Sequence, residues 1–240
     1  MIEIAICLAI IGFALVAIIG VLPYGMNTQR DNREETVINQ DATVLLEAIR
    51  SGARGADNLT NSVYAITNYR ATYNSGVATP SAIGWDTSSY LTTGARVIGV
   101  MSTPEFTDFG GVPLAVPPIN GYSNHIIAYV RSISGLAAEK PPQDNQIMRD
   151  DSFTYRVYCV NAAPSVDTNT YNANNQSAFS TQLAANLHEL RMTFLWPQLP
   201  NGNLGGGRQT FRASVAGQLA VDPNNGNLFY YRSQYFTNAP

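Results

Sequence analysis

Lysine is almost missing from this sequence. Lys140 is the single one, and Asp, Glu, Lys and Arg together make up 13% of 240 residues, about half of the ~25% carried by a typical soluble domain. The net charge of −3 is small, so there is no electrostatic case for nucleic acid. Cysteine is scarce as well. Cys7 and Cys159 are too few for a disulfide framework and read as free, small, buried residues. His125 and His188 are isolated, and neither has the spacing of a zinc ligand set; both read as strand or turn residues. No order of Ser, His and Asp suggests a triad. The glycine run Gly205–Arg208 lacks the strand-to-helix context and the lysine of a phosphate loop, so it reads as a hairpin turn. These absences leave little with which to build an enzyme, and none is expected.

What replaces charge is neutral polarity. Asn, Ser, Thr, Gly and Tyr are abundant, giving a surface of uncharged hydrogen-bonding groups that suits an extracellular setting. The one long apolar run is at the start. Glu3 is followed by nineteen residues without a charge, Ile4 to Leu22. At ~1.5 Å per residue such a helix is about 28 Å long, close to the ~30 Å hydrocarbon thickness of a bilayer. A cleaved secretory signal would show a positive n-region, a shorter apolar stretch and a small-residue cleavage site, and an uncleaved anchor would carry flanking Lys or Arg. Neither pattern precedes Glu3, and the expectation is a chain already processed. A carboxylate at this depth is costly unless paired. The α-amino group of Met1, or that of a neighbouring copy, is the cation it calls for.

The helical pattern continues beyond the apolar run. Ile38, Ala42, Leu45, Ile49 and Ala53 recur at spacings of three and four, with Asn39, Asp41, Thr43, Glu47 and Arg50 on the other face. Arg30 and Glu34 stand at i,i+4 as a surface pair. The spacing predicts one long helix, apolar all round in its first half and amphipathic in its second, ending within Ser51–Asn58. Pro23, between Gly20 and Gly25, predicts a kink or local melting where the halves join. Ala5, Ala9, Gly12, Ala17 and Gly20 are small enough to let helices pack closely.

Ile2-Glu3, an apolar helix containing Ala9-Ile10-Ile11-Gly12, Pro23 about twenty residues after the glutamate, and an amphipathic continuation together resemble the type IV pilin and type II secretion pseudopilin family. The resemblance covers roughly the first fifty residues. It implies a bacterial protein whose leader is removed by a prepilin peptidase, which also methylates the new N-terminal residue, here at or near Met1. The chain would sit in the inner membrane and then be extracted by an assembly machine into a helical homopolymer on the cell surface. Glu3 matches the glutamate that neutralises the amine of an adjacent subunit, and Pro23 the helix-breaking proline. The family glutamate stands fifth in the mature chain and Glu3 stands third, so either two residues precede Met1 or the register is shifted. Met1, Glu3, Gly12, Gly20, Pro23 and Gly25 are the expected assembly residues.

The remainder reads as mainly β. Residues 57–150 look rich in loops, with a short helix near Leu59–Tyr69 and two strands, Arg96–Ser102 and His125–Ser134, bounded by Gly and Pro. Residues 151–240 carry clean alternation: Phe153, Tyr155, Val157 and Cys159; then Leu190, Met192, Phe194 and Trp196; then Phe211, Ala213, Val215 and Leu219; and last Asn227–Phe236. Turn-rich segments separate the final three, predicting an antiparallel meander. The expected fold is α+β: residues 1–25 a membrane-spanning or filament-core helix, and 26–240 a globular domain. In that domain the amphipathic half of the helix, 26–56, packs on an antiparallel sheet as in a pilin-like roll. Asp222 and Asp167 offer oxygen ligands for calcium, as in some members of the family, but neither segment has the carboxylate count of a strong site.

The expected function is that of a filament subunit of a type IV pilus. A pseudopilin of a type II secretion system is the alternative within the family, and a monomeric membrane-anchored binding protein with an extracytoplasmic domain is the alternative outside it.

Overall fold

The computed structural model describes residues 2–52, 56–134, 153–164, 183, 185–199 and 201–232. The chain divides into two compact units, residues 1–40 and 41–240. Helix α1, Ile2–Arg50, begins in the first and ends in the second.

Every described residue of the first unit is helical. Pro23 lies inside α1 without ending it, so of the two expected outcomes, a kink or local melting, the melting is absent. A proline removes one ladder hydrogen bond at a cost of about 3 kcal/mol, and long cooperative runs on both sides outweigh that loss. Thr28 and Thr36 donate their hydroxyls to the carbonyls of Tyr24 and Asn32, at 3.0 and 2.8 Å, keeping both polar side chains on the helix's own backbone. Arg30 Nε donates to Glu34 at 2.8 Å, the pair that the spacing predicts.

In the second unit the last turns of α1 bury Ala42, Leu45 and Ile49 completely, while Thr43, Glu47 and Arg50 face solvent. Ala53 lies outside the described residues. Asp41 departs from the expected polar face, for it is fully buried. The helix ends as predicted, with Ser51 N donating to Glu47 O at 2.9 Å and Gly52 N to Ile49 O at 3.1 Å. Gly52 has φ +67, and a Cβ there would stand 2.6 Å from the carbonyl oxygen of Tyr231, so both conformation and space require glycine.

An antiparallel sheet forms the body of this unit. A short turn of helix, α2 (Leu59–Ser62), leads into β1 (Val63–Asn74) and β2 (Val77–Asp86). After α3 (Gly94–Met101) come the short β3 (Phe106–Thr107) and β4 (Pro113–Leu114), then β5 (Gly121–Arg131), β6 (Thr154–Ala162), β7 (Leu187–Gln198) and β8 (Leu204–Ala216). The sheet runs β2-β1-β5-β6-β7-β8, with β3 pairing β4 and β5. Strands β9 (Gln218–Asp222) and β10 (Asn225–Arg232) form a separate hairpin. The inward stripes of β6 and β7 are those the alternation predicts: Tyr155, Val157 and Cys159 from one, Leu190, Met192, Phe194 and Trp196 from the other, all buried. A run of tilted and edge-on rings, with centroids 5.9, 5.6 and 5.4 Å apart in succession, passes from half-buried Phe153 through the core residues Tyr155 and Phe194 to half-buried Phe211. An α+β fold with a long apolar N-terminal helix and an antiparallel sheet is therefore present.

Three expectations are corrected. The segment from Leu59 to Gly94, read as loop with a short helix, is largely a β-hairpin. Asn74 pairs with Val77 across a two-residue turn in which Ser75 and Gly76 have φ of 51 and 81, the left-handed pair of a tight hairpin. Arg96–Ser102, read as a strand, lies almost entirely in helix α3. Thr93 caps this helix, its side chain accepting from Arg96 N at 3.3 Å, and Val97, Ile98, Val100 and Met101 are all buried. Burial on several sides conceals a helical period, and β-branched residues yield to such packing. Finally, the last stretch is no simple meander. Strand β8 stops at Gly217, whose φ is +125 and whose N–H donates to Asn186 O at 2.8 Å. Leu219 thereby leaves the main sheet for the β9–β10 hairpin. Residues 233–236 of the expected last strand lie outside the described residues.

Candidate assembly helix

The most unusual surface on this chain is the first half of α1. Its apolar residues cover every side of the helix, and they are exposed, from Ile2 at 78% through Phe13 at 80% to Met26 at 63%. Among the described residues α1 is the one helix long and apolar enough to cross a membrane by length and composition. A helix that is apolar all round is stable where lipid or protein surrounds it. Full burial of a Val, Leu, Ile, Phe or Met side chain contributes ~1.5–3 kcal/mol, so a dozen of them amount to on the order of 20 kcal/mol in favour of leaving water. That drive is non-directional, and specificity has to come from small residues and from charge.

The expected assembly residues fall as follows. Glu3 is exposed in the first turn of α1, and among the described residues no cation pairs with it. Its carboxylate at a helix N-terminus is favoured by the helix dipole. Met1, whose amine was its expected partner, lies outside the described residues. Side chains added at Gly12, Gly20 or Gly25 would meet nothing within 4 Å. At 100° per residue, Ala5, Ala9, Gly12 and Gly20 fall within an arc of about 80°, one narrow face where another helix could approach closely.

The remaining candidates have structural surroundings. Asp222, at the β9–β10 turn, accepts the Asn224 N–H at 3.0 Å. Among the described residues no cluster of three or more His, Cys, Asp or Glu could hold a metal ion. Asp167, the other calcium candidate, lies outside the described residues. His125 is exposed on β5. His188 is fully buried in β7, edge-on to Tyr231 with centroids 5.7 Å apart, and burial lowers its pKa to about 4. Cys159 is buried and unpaired, its thiol pushed up to about 12 by burial.

One functional group escaped the sequence reading. The Asp41 carboxylate accepts four hydrogen bonds: Ser134 N at 2.8 Å and Ser134 Oγ at 2.5 Å on Oδ1, Ile133 N at 3.0 Å and Tyr155 Oη at 2.8 Å on Oδ2. It ties the last turns of α1 to the segment just after β5 and to the start of β6. Burial raises the Tyr155 phenol well above its ordinary range, and the Asp41 charge adds to this. An acidic residue flanked by apolar ones at helical spacing was the only signal, and it reads equally well as a solvated face.

Comparison with protein-family models, curated proteins and solved structures gives no match for this chain.

Proposed function

We propose that this chain is a structural subunit that polymerises through its N-terminal helix into an extracellular filament of the type IV pilus kind. The observation that supports this reading is the exposed helix itself, apolar on every side from Ile4 to Leu22, with the single carboxylate Glu3 at its start. A permanent anchor has no use for that carboxylate, which is costly in lipid unless paired. A helix that trades lipid for copies of itself can pair it with a neighbour's N-terminal amine. In this reading the protein waits in the inner membrane, a prepilin peptidase and methylase prepares its N-terminus, and assembly machinery moves the apolar helix from lipid into a bundle of identical helices. Those contacts replace lipid contacts at little net cost, while the sheet domain is displayed outside.

The test is assembly itself. Sheared surface fractions, viewed by electron microscopy under native expression, are expected to contain filaments of this chain. Glu3→Ala is expected to abolish them while leaving the protein in the membrane fraction. Normal filaments from that variant would sink the pairing mechanism. Absence of filaments from the parent would favour the pseudopilin or the monomeric anchor.

A further inference from the structure

The main sheet ends on β2 at one side and β8 at the other, and the two edges are built differently. In an antiparallel ladder, alternate residues turn both backbone groups toward the neighbouring strand, and the residues between them turn theirs away. Thr87 N donates to Tyr64 O at 3.3 Å, a bond that continues the β1–β2 register. Alternate residues from Val77 to Trp85 therefore face β1, while Ala78, Pro80, Ala82, Gly84 and Asp86 face outward. Pro80 has no N–H, so a strand arriving at this edge finds the ladder broken.

The edge at β8 has no such block. Gly217 N donates to Asn186 O at 2.8 Å, continuing a β7–β8 register that is unbroken from Gly207 to Ala216. Arg208, Thr210, Arg212, Ser214 and Ala216 therefore turn their N–H and C=O groups away from β7. None of the five is proline, all are exposed, and among the described residues no strand pairs with this side of β8. The side chains divide by face. On the outer face Arg208 and Arg212 stand beside Arg191 of β7 and Arg156 of β6, and the single carboxylate of these three strands is Glu189. It lies 3.5 Å from Arg191 and 3.8 Å from Arg212. The face is thus basic, in a chain whose net charge is −3. On the inner face Phe211 and Ala213 are half-buried, whereas Leu190 and Phe194 of β7 are completely buried. The apolar layer reaches the edge without being closed there.

We propose that β8 accepts an extended segment of another protein as one further antiparallel strand, a segment that alternates acidic with apolar side chains. Its acidic side chains lie beside Arg208 and Arg212, and its apolar ones cover Phe211 and Ala213. Charge chooses this occupant. A second copy of β8 would bring its own arginines onto the same face, where like charges repel. The ladder adds a further demand. Directly opposite residues share a face, so the residues that exchange hydrogen bonds with Arg208, Thr210 and Arg212 are the acidic ones, and the apolar ones turn their N–H groups away. The arrangement belongs to the sheet domain and stands or falls independently of filament assembly.

The experiment is fluorescence anisotropy with the full chain in micelles of a phosphocholine detergent. The probe is a short, dye-labelled peptide of alternating valine and glutamate, with a valine–lysine peptide of the same length as control. Saturable binding of the glutamate peptide above empty micelles is expected, weakening as salt is added, with none by the lysine peptide. N-methylation of the glutamates should abolish binding and N-methylation of the valines should preserve it, because only the first removes donors that face β8. Arg208→Gln combined with Arg212→Gln should weaken binding about tenfold. Both side chains are exposed, so this variant keeps the parent's far-ultraviolet circular dichroism. Thr210→Pro removes an N–H that β7 does not use, and should abolish binding as Pro80 closes the other edge. No saturable binding, equal binding of the lysine peptide, no difference between the two N-methylated peptides, or parent-like binding by either variant would each overturn the proposal. A solvated edge guarded by its arginines would then remain.

Discussion

Tyr155 donates its hydroxyl proton to Asp41 Oδ2 across 2.8 Å, joining residues 114 positions apart in the chain. Both side chains are completely buried. The bond fastens a sheet strand to the last turns of α1 from inside the core, where water cannot compete for either partner.

Removing one donor from that carboxylate is expected to cost about 1.5–3 kcal/mol, the range for a hydrogen bond to a charged group. Tyr155→Phe should therefore lower the unfolding free energy by that amount in denaturant titrations. Asp41→Ala removes the acceptor of four donors and should cost more, about 4 kcal/mol. Equal stabilities for parent and Asp41→Ala would show that the network contributes nothing.

His188 makes stability depend on pH. Its folded pKa is lowered to about 4 by burial, against ~6.5 unfolded, so between these values the unfolded chain binds the proton and the folded chain does not. Stability is then fully present above about pH 6.5 and falls as pH drops toward 4, by on the order of 3 kcal/mol in all. His188→Phe should flatten the melting temperature across that window. An unchanged pH profile in the variant would assign the dependence to other groups.

Gly94 and Gly84 should respond oppositely to alanine. A Cβ on Gly94 would stand 1.9 Å from the carbonyl oxygen of Ala56, whereas one on Gly84 meets nothing within 4 Å. Backbone cannot yield as a side chain can, so Gly94→Ala should cost about 1–3 kcal/mol or more. Gly84→Ala should be neutral or stabilising by about 0.4–1 kcal/mol through the unfolded chain. Thermal melts of the two variants, compared with the parent, decide this.

Cys159 should be silent in the native protein. With its thiol buried and its pKa near 12, almost no thiolate forms at pH 8. In a Cys7→Ser background, iodoacetamide should label Cys159 only at the rate of unfolding, and promptly in denaturant. Fast native labelling would mean that the β6 region opens locally.

Much of the architecture is legible in local periodicity. The apolar run, the end of α1 at Gly52 and the alternations of β6 and β7 all recur at the spacing that their secondary structure requires, with neighbours that settle the choice. The β1–β2 hairpin had a readable signal in Asn74-Ser75-Gly76, obscured because strand β2 is mostly exposed and lacks a buried stripe. Helix α3 had one in Thr93 and Gly94, but its Val and Ile content favoured a strand on propensity alone. Of the candidate sites, the apolar helix and Glu3 stand out because they violate ordinary composition.

The sequence by itself determined where the chain is apolar on every side, where it is amphipathic and where it alternates, because those properties depend only on residues a few positions apart. Only the tertiary structure decided that Asp41 is buried and satisfied, and that Gly217 sends Leu219 into a second sheet. Each of those depends on a donor, acceptor or carbonyl supplied from a distant part of the chain. A polar side chain carries no mark of whether water or protein will complete its hydrogen bonds.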